Sequence, residues 1–377
     1  MDYLLKQIMA GLLLPKQQIP TELKLAEQFG VSRITSQKAL IELEREGYIY
    51  RKRGLGSFVT DDALLRGTNI TNNGKIVSII LPNEISKGGF FEYINGAAEP
   101  LKEQGFQLTV RVSDGTSEDE LRLLREAYAS ENAGIVYYPA CESKNIEYLS
   151  ALCLNGYPIV TIDKYYEGVP LDYVVSDNFN GSYTLTSRLI QLEHRQIAYM
   201  SFNRIANATT IKSRYLGYCK ALRDNGIFVN SDLVLCGYGE TIKTIDIELY
   251  ASLCRGYVLV TPKQSQPFIK MVSALLERGA TAIQTTNDNE AIVLVRVCGE
   301  MGVKVPEQLS IAGFDNIEIS EHINVPLTTV SQNFFEVGKR AAEILVGAIK
   351  KDTYRNTSLV IPVALVERDS TARAPRN

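Results

Sequence analysis

A chain of 377 residues, 45% of them hydrophobic, is long enough for two or three packed domains and has the composition of an ordinary globular protein. Its net charge of −3 hides a split: residues 1–60 carry nine Lys or Arg against six Asp or Glu, or +3, which leaves 31 against 37, or −6, for the remainder. A basic head on an acidic body is the charge pattern of a DNA-binding module joined to a domain that avoids the duplex, and with no apolar run near the roughly 18 residues of a membrane span and no export leader, a cytosolic protein with no membrane partner is expected.

The head is organised around residues 19–50, which read as two short helices joined by a tight turn. Thr21 can cap the first helix, Leu23, Ala26 and Phe29 fall on one face, and Gly30 supplies the left-handed residue that ends it. Ser32 then caps a second helix whose inner face is Ser36, Ala39, Leu40 and Leu43, while Arg33 and Gln37, four apart, point outward together. Such a face suits the major groove, because Arg can bond guanine O6 and N7 in bidentate fashion and Gln can do the same with adenine N6 and N7. Next, YIYRKRGLGSFV (48–59) has two β-prone arms around Gly54-Leu55-Gly56 and reads as a basic hairpin, or wing. Its glycines allow close approach to the sugar-phosphate edge, and Arg51, Lys52 and Arg53 supply phosphate neutralisation. Taken alone, a helical hairpin is common and a run of three cations is usually a solvated surface; the hairpin in register is what favours DNA. The Gly-x-Gly in the wing is not a dinucleotide fingerprint, since the third glycine and the following helix are missing.

Residues 61–74 are polar and aperiodic, end in Asn-Asn-Gly and read as a linker. From Lys75 apolar runs alternate with amphipathic helices. The expected strands are 76–81, 107–112, 134–138, 158–162, 197–201, 281–285 and 309–314, with Gly105, Gly156, Gly226 and Gly279 closing helices just before strands. This texture predicts an α/β body with doubly wound parallel sheets. In such sheets ligands bind outside the carboxyl ends of the strands, which draws attention to Asp163, to Asn287-Asp288 and to Asp315-Asn316. The pair Phe90-Phe91 is placed in the loop after the first strand, and Arg214 in the first turns of the helix after IAYMS. Carboxylates, an amide, a guanidinium and aromatic rings in one crevice suit a polyhydroxylated ring. Each residue also has a plainer reading: a strand-end Asp caps the next helix, Asn287 and Asp288 form an N-cap pair, and Tyr137, Tyr138, Tyr165 and Tyr166 fill core or interface. The six cysteines, with no Cys-x-x-Cys pair, and the two histidines, His194 and His322, point away from zinc, from any metal or cofactor and from a disulfide framework.

Gly11 with Pro15, IPTE (19–22), LAEQFGVSR (25–33), Thr35, the Ala-Leu pair at 39–40 and EGYIYRKRGLGSFV (46–59) resemble the winged helix-turn-helix domain of the GntR family of bacterial transcription factors. The resemblance implies a DNA-contacting set of Glu22, Ser32, Arg33, Thr35, Gln37, Lys52, Arg53, Gly54 and Gly56, although Ser36-Gln37 stands where the family usually has Val-Arg. NAGIVYYP (132–139), YPIVTID (157–163), SRYLGY (213–218), TNDNEA (286–291), VKVPEQLSIAGFDN (303–316), residues 325–345 and ALVERDST (364–371) resemble the effector domain of LacI/GalR repressors, which share a fold with periplasmic sugar-binding proteins. That resemblance implies effector contacts at Phe90, Phe91, Asp163, Arg214, Asn287, Asp315 and Gln332, and three passages between lobes near Ser176, Gln332 and Lys351. The expected layout is a head at 1–60, a linker at 61–74 and a body at 75–371, with lobe one at 75–175 and 333–351 and lobe two at 176–332 and 352–371. The family usually has Gly before His194, where this chain has Glu193. Together the two halves are similar to arabinose-repressor-type regulators: a non-enzymatic homodimer that binds a double-stranded operator and releases it to a small effector, with a monosaccharide expected. A sugar- or nucleotide-acting enzyme, a carrier and a non-sugar effector are the alternatives. The sequence holds no Gly-x-Ser-x-Gly elbow, phosphate loop or metal-spaced histidines.

Overall fold

A computed structural model of the chain describes residues 1–9, 12–45, 47–52, 54–60, 75–83, 89–139, 145–246, 248–249, 253, 261, 263–351 and 357–375. The segment 61–74 and Arg53 lie outside the described residues.

The head comprises helices α1 (Asp2–Met9), α2 (Glu22–Phe29) and α3 (Arg33–Arg45) and the hairpin β1 (Ile49–Lys52) and β2 (Gly56–Val59). Thr21 caps α2 by accepting from the Lys24 amide, and Gly30 closes it at φ 62°. The inner face of α2 differs from the expected one: Leu25 and Ala26 are buried, whereas Leu23 and Phe29 are 58% and 47% exposed. A helix of eight residues docks on α3 through a narrow stripe at Leu25 and Ala26, which leaves Leu23 and Phe29 outside it; Phe29 meets the Tyr3 ring edge-on at 5.0 Å instead. On α3 Ser36, Leu40 and Leu43 are buried, and Ile8, Ile19, Tyr48, Ile49 and Val59 complete the small core. The hairpin is antiparallel, with Tyr50 opposite Phe58 and Lys52 opposite Gly56.

The body follows in chain order as β3 (Ile76–Pro82), α4 (Phe90–Glu103), β4 (Gln107–Ser113), α5 (Ser117–Ala129), β5 (Gly134–Tyr137), α6 (Ile146–Leu154), β6 (Ile159–Ile162), β7 (Asp172–Ser176), α7 (Asn178–Gln191) and β8 (Ile197–Ser201). It continues with α8 (Thr209–Asp224), β9 (Val234–Cys236), α9 (Tyr238–Ile245), α10 (Gln266–Glu277), β10 (Ala282–Thr285), α11 (Asp288–Met301), β11 (Ser310–Ala312), α12 (Ile319–His322) and β12 (Thr329–Ser331). The last elements are α13 (Phe334–Lys351), β13 (Ser358–Ile361) and β14 (Ala364–Val366). Two parallel sheets result, ordered β13-β7-β6-β5-β3-β4 and β11-β10-β8-β9, with a short antiparallel pair β12-β14. Gly105, Gly156, Gly226 and Gly279 all have positive φ at helix ends, as the αβ connections require.

The chain passes from the first lobe to the second between β7 and α7 and returns between β12 and α13, whose Val337, Ala341 and Leu345 join the core of the first lobe. The expected third passage near Lys351 is corrected. Strand β13 pairs in parallel with β7, Ser358 against Tyr173 through Ile361 against Ser176, so it belongs to lobe one and the passage falls at Pro362–Val363. Without β13 the outer edge of β7 would leave a row of backbone N–H and C=O groups unpaired.

In lobe one, α4 and α13 cross backbone to backbone. A Cβ at Gly96 would lie 2.0 Å from the Phe335 carbonyl oxygen, and one at Gly338 would lie 2.2 Å from that of Tyr93. Only glycine permits that approach.

Candidate functional site

Two concave faces gather the residues singled out in the sequence. The first, on the head, is a groove lined by Thr21, Glu22, Arg33, Arg51, Lys52, Gly54 and Gly56, among others, with about 970 Å³ of space including its open mouth. Ser32 caps α3, its hydroxyl accepting from the Thr35 amide at 3.1 Å and meeting the Thr35 hydroxyl at 2.8 Å. This fixes the helix start from which Arg33 projects, and Gln37 is exposed one turn further on. The Glu22 carboxylate lies 3.5 Å from both the Arg33 Nε and an Arg51 Nη, and Arg51 also pairs with Glu44 at 3.0 Å. Exposed pairs of this kind contribute little stability, and here they orient guanidinium groups along one face. In the wing, Tyr50 stacks on Phe58 with centroids 5.7 Å apart, and the Lys52 ammonium sits 5.6 Å from each ring. Gly54 at φ 77° and Gly56 at φ 107° make the tip, conformations that other residues rarely adopt.

The second face is the crevice between the lobes, at the carboxyl ends of the strands. The space between its walls is about 610 Å³ when the open mouth is included. Phe90, Asp163, Arg214, Asn287, Asp315 and Gln332 all line it. Phe91 does not: both phenylalanines open α4, and Phe91, turned by one helical step of about 100° from Phe90, is 75% exposed.

Lobe one contributes an aromatic wall. Phe90 meets Tyr138 edge-on at 5.9 Å, and Tyr93 meets Tyr138 at 6.1 Å and Phe334 at 5.2 Å. At the end of β6 stands Asp163, held at φ 65° in a tight turn closed by the Lys164 amide donating to the Ile162 carbonyl at 2.7 Å. The buried Lys164 ammonium donates to the Pro139 carbonyl at 3.1 Å, sits 4.2 Å from the centre of the Tyr138 ring and pairs with Asp163 at 3.4 Å.

Lobe two contributes the polar wall. Arg214, buried on α8, donates from Nε to Asn178 Oδ1 at 2.7 Å and from Nη1 to the Thr286 carbonyl, pairs with Asp315 at 3.3 Å and lies 3.7 Å over the Phe314 ring. Asp315, at φ 120°, accepts from Gln332 Nε2 at 2.6 Å. Burial pushes its carboxyl up to about 7, against the pull of Arg214 and with the help of the Asp288 and Asp163 charges. Tyr93 is held protonated first by burial and then by the charges of Asp163 and Asp315, one on each lobe. Two consecutive strand-end residues of left-handed conformation, Asp315 and Asn316, mark backbone strain at a site.

Asn287 has both the functional and the plain placement: it lines the crevice and also caps α11, accepting from the Glu290 amide at 2.9 Å. Asp288 is structural, accepting from the Ile317 amide at 2.9 Å and the Thr329 hydroxyl at 2.5 Å. Tyr137 and Tyr166 are core residues, and Tyr165 stacks on Tyr173 at 4.3 Å, but Tyr138 belongs to the crevice. Tyr93, Lys164, Asn203, Thr210, Ile211, Thr286 and Phe334 line it as well and were not singled out. Following each strand one or two residues past its end would have found Tyr138, Lys164, Asn203 and Thr286.

Residues 1–59 match the family of bacterial regulatory proteins of gntR type. Residues 74–244 match the periplasmic binding proteins and sugar binding domain of the LacI family, and residues 186–371 a periplasmic binding protein-like domain. The chain is 29% identical over 378 residues to an arabinose metabolism transcriptional repressor of Halalkalibacterium halodurans, covering 98% of this chain and 94% of that one. Among solved structures it resembles a transcriptional regulator CelR–cellobiose complex, at 21% identity and TM-score 0.65 over 93% of this chain and 100% of the other. A LacI family transcriptional regulator from Enterococcus faecium with bound ribose is similar at 25% identity and TM-score 0.60, over 79% of this chain and 99% of the other.

Proposed function

On the premise that this chain is a transcription regulator joining a gntR-type DNA-binding head to a LacI-type periplasmic-binding-protein-like body, and not an enzyme, we propose that it represses a carbohydrate-utilisation operon and releases it when a monosaccharide fills the crevice. One observation carries the effector reading. Each lobe presents one carboxylate, Asp163 or Asp315, beside its own cation, and both line the same crevice as an aromatic wall. The cations are already engaged by protein oxygens, so the free acceptor capacity lies on the carboxylates, and it favours a ligand rich in hydroxyl donors. The rings of Phe90, Tyr138 and Phe334 suit the apolar face of a sugar.

In this reading Arg33 and Gln37 read bases, Ser32, Thr35, Lys52, Gly54 and Gly56 face the backbone, and Glu22 orients Arg33 and Arg51. Arg53 belongs to the same wing and lies outside the described residues. The protein acts as a homodimer in the cytosol, its two heads on a palindromic operator in major grooves about one helical turn, roughly 34 Å, apart. A sugar that bonds both carboxylates draws the lobes together and moves the heads out of register. A clean reversal of operator occupancy requires the sugar to prefer the released state by on the order of 5 kcal/mol.

Gel retardation of the gene's own upstream DNA, with and without L-arabinose, D-ribose, D-xylose, D-galactose and D-glucose, tests both halves. A shift abolished by one sugar is expected. Absence of any protein-dependent shift refutes the regulator, and a shift indifferent to every sugar, with no thermal stabilisation of the protein by any of them, refutes the monosaccharide effector.

A further inference from the structure

We propose that Glu290 is a positioning residue of the effector crevice: its carboxylate, set behind the crevice wall, fixes the side-chain amide of Asn287 and the loop after β8 in the orientation that receives the ligand. The inference rests on the crevice being the effector site.

Glu290 is the third residue of α11 and is buried. Three donors converge on its Oε1: the Phe202 amide at 3.0 Å, the Thr286 hydroxyl at 2.7 Å and Asn287 Nδ2 at 3.0 Å. All three come from the two loops that bring Asn203, Thr286 and Asn287 to the crevice. Asn287 is gripped at both ends by this one residue, because its Oδ1 accepts from the Glu290 amide at 2.9 Å while its Nδ2 donates to the Glu290 carboxylate. A helix cap needs only the first of these bonds. In the usual capping box the carboxylate at this position accepts from the backbone of the cap residue, whereas here it accepts from the cap's side chain and from a separate loop. Rotation of the amide is thereby fixed, with one oxygen lone pair left over and the Nδ2 also 3.5 Å from the Thr286 hydroxyl. The consequence reaches further through Thr286, whose carbonyl accepts from Arg214, the partner of Asp315. Three donors on a single oxygen favour a charged acceptor, so the carboxylate does what an amide oxygen of the same shape does less well.

The full-length protein with Glu290→Gln and with Glu290→Met tests this. Sugar affinity is read by titration calorimetry with the five sugars, operator affinity without sugar by gel retardation, and the crevice by crystallography. For Glu290→Met, sugar affinity is expected to fall on the order of tenfold to a hundredfold while operator affinity stays within about twofold, and Glu290→Gln should recover part of the loss. A merely structural role would lower both affinities together and would not show the graded recovery. Sugar binding by Glu290→Gln as tight as that of the wild type, with operator binding intact, overturns the proposal whatever the Met variant does. If the wild type binds none of the sugars, the effector reading fails, and the crystals decide the positioning: an Asn287 amide turned from its wild-type orientation in Glu290→Met supports it, and an unchanged amide and Phe202–Asn203 loop overturn it.

Discussion

Asp315→Asn separates what the crevice does for stability from what it does for binding. The carboxyl group of Asp315 is displaced from the ordinary value of 3.8 to about 7, mainly because it is buried, with Arg214 opposing and the Asp288 and Asp163 charges reinforcing the shift. An acid whose pKa is higher in the folded than in the unfolded chain holds its proton more tightly when folded. Its contribution is therefore most favourable below the unfolded value, and it is lost as pH rises from about 4 through about 7. At about 1.4 kcal/mol per pH unit the full span amounts to about 4 kcal/mol, of which about 2 to 3 kcal/mol falls between about pH 5 and about pH 8.5. Asparagine has the same shape and no charge to bury. Urea unfolding of both proteins at those two pH values should therefore show the difference in stability moving by about that amount in favour of the variant as pH rises, with unchanged denaturant slopes. A pH-independent difference, or one that moves against the variant, would refute the assignment of a buried, carboxylate-destabilised site. The same variant should lose its response to sugar, because an amide donates where the carboxylate accepted.

Arg33→Ala should abolish specific operator retardation, whereas Lys52→Ala should weaken binding to all sequences alike and lower the salt dependence by about one phosphate contact; a Lys52 variant that changes sequence preference would contradict the division between base and backbone contacts. Arg214→Ala should retain operator binding and lose its sensitivity to sugar in the same gel assay, and a variant that cannot bind operator but still binds sugar would show the two sites to be confused. Glu193 sits at φ 71°, a conformation that costs a non-glycine residue about 1 to 2 kcal/mol, and its carboxylate makes an exposed pair with Arg373. Glu193→Gly should thus be as stable as the wild type or more so by up to about 1 kcal/mol in urea, and a clear loss would mean that the ion pair outweighs the strain.

The head was legible because its signals are local: Thr21 and Ser32 cap helices that begin beside them, and Gly30, Gly54 and Gly56 adopt the conformations that glycine alone tolerates well. Long apolar runs likewise disclosed the central strands of both sheets. Missed strands such as β7, β13 and β14 run only five, four and three residues, and what makes them strands is a partner far along the chain, as when Ser358 finds Tyr173. The same cause misplaced the third passage between lobes. At the crevice, strand ends lead to Asp163, Asn287 and Asp315, which line it, since topology sets where those ends lie. Which neighbour of each faces inward depends on rotation about the helix or strand, and this is why Phe91 was included and Tyr93, Lys164 and Phe334 were overlooked. Charge alone could not have shown that the Asp315 carboxyl is raised to about 7, because that follows from burial and from the charges of Asp288 and Asp163, distant in sequence, prevailing over Arg214.

The contact of α4 with α13 at Gly96 and Gly338 has a mechanical corollary. Main chain touches main chain there, with no compliant side chain between to absorb a displacement, and both helices begin at the crevice, with Phe90 and Phe334. Pressure on the aromatic wall would thus pass into both helices at once, and through their shared core to β3, the first strand after the head. Loosening that crossing would produce a mute protein, one that still grasps sugar and still grasps operator but no longer relays news of the first to the second.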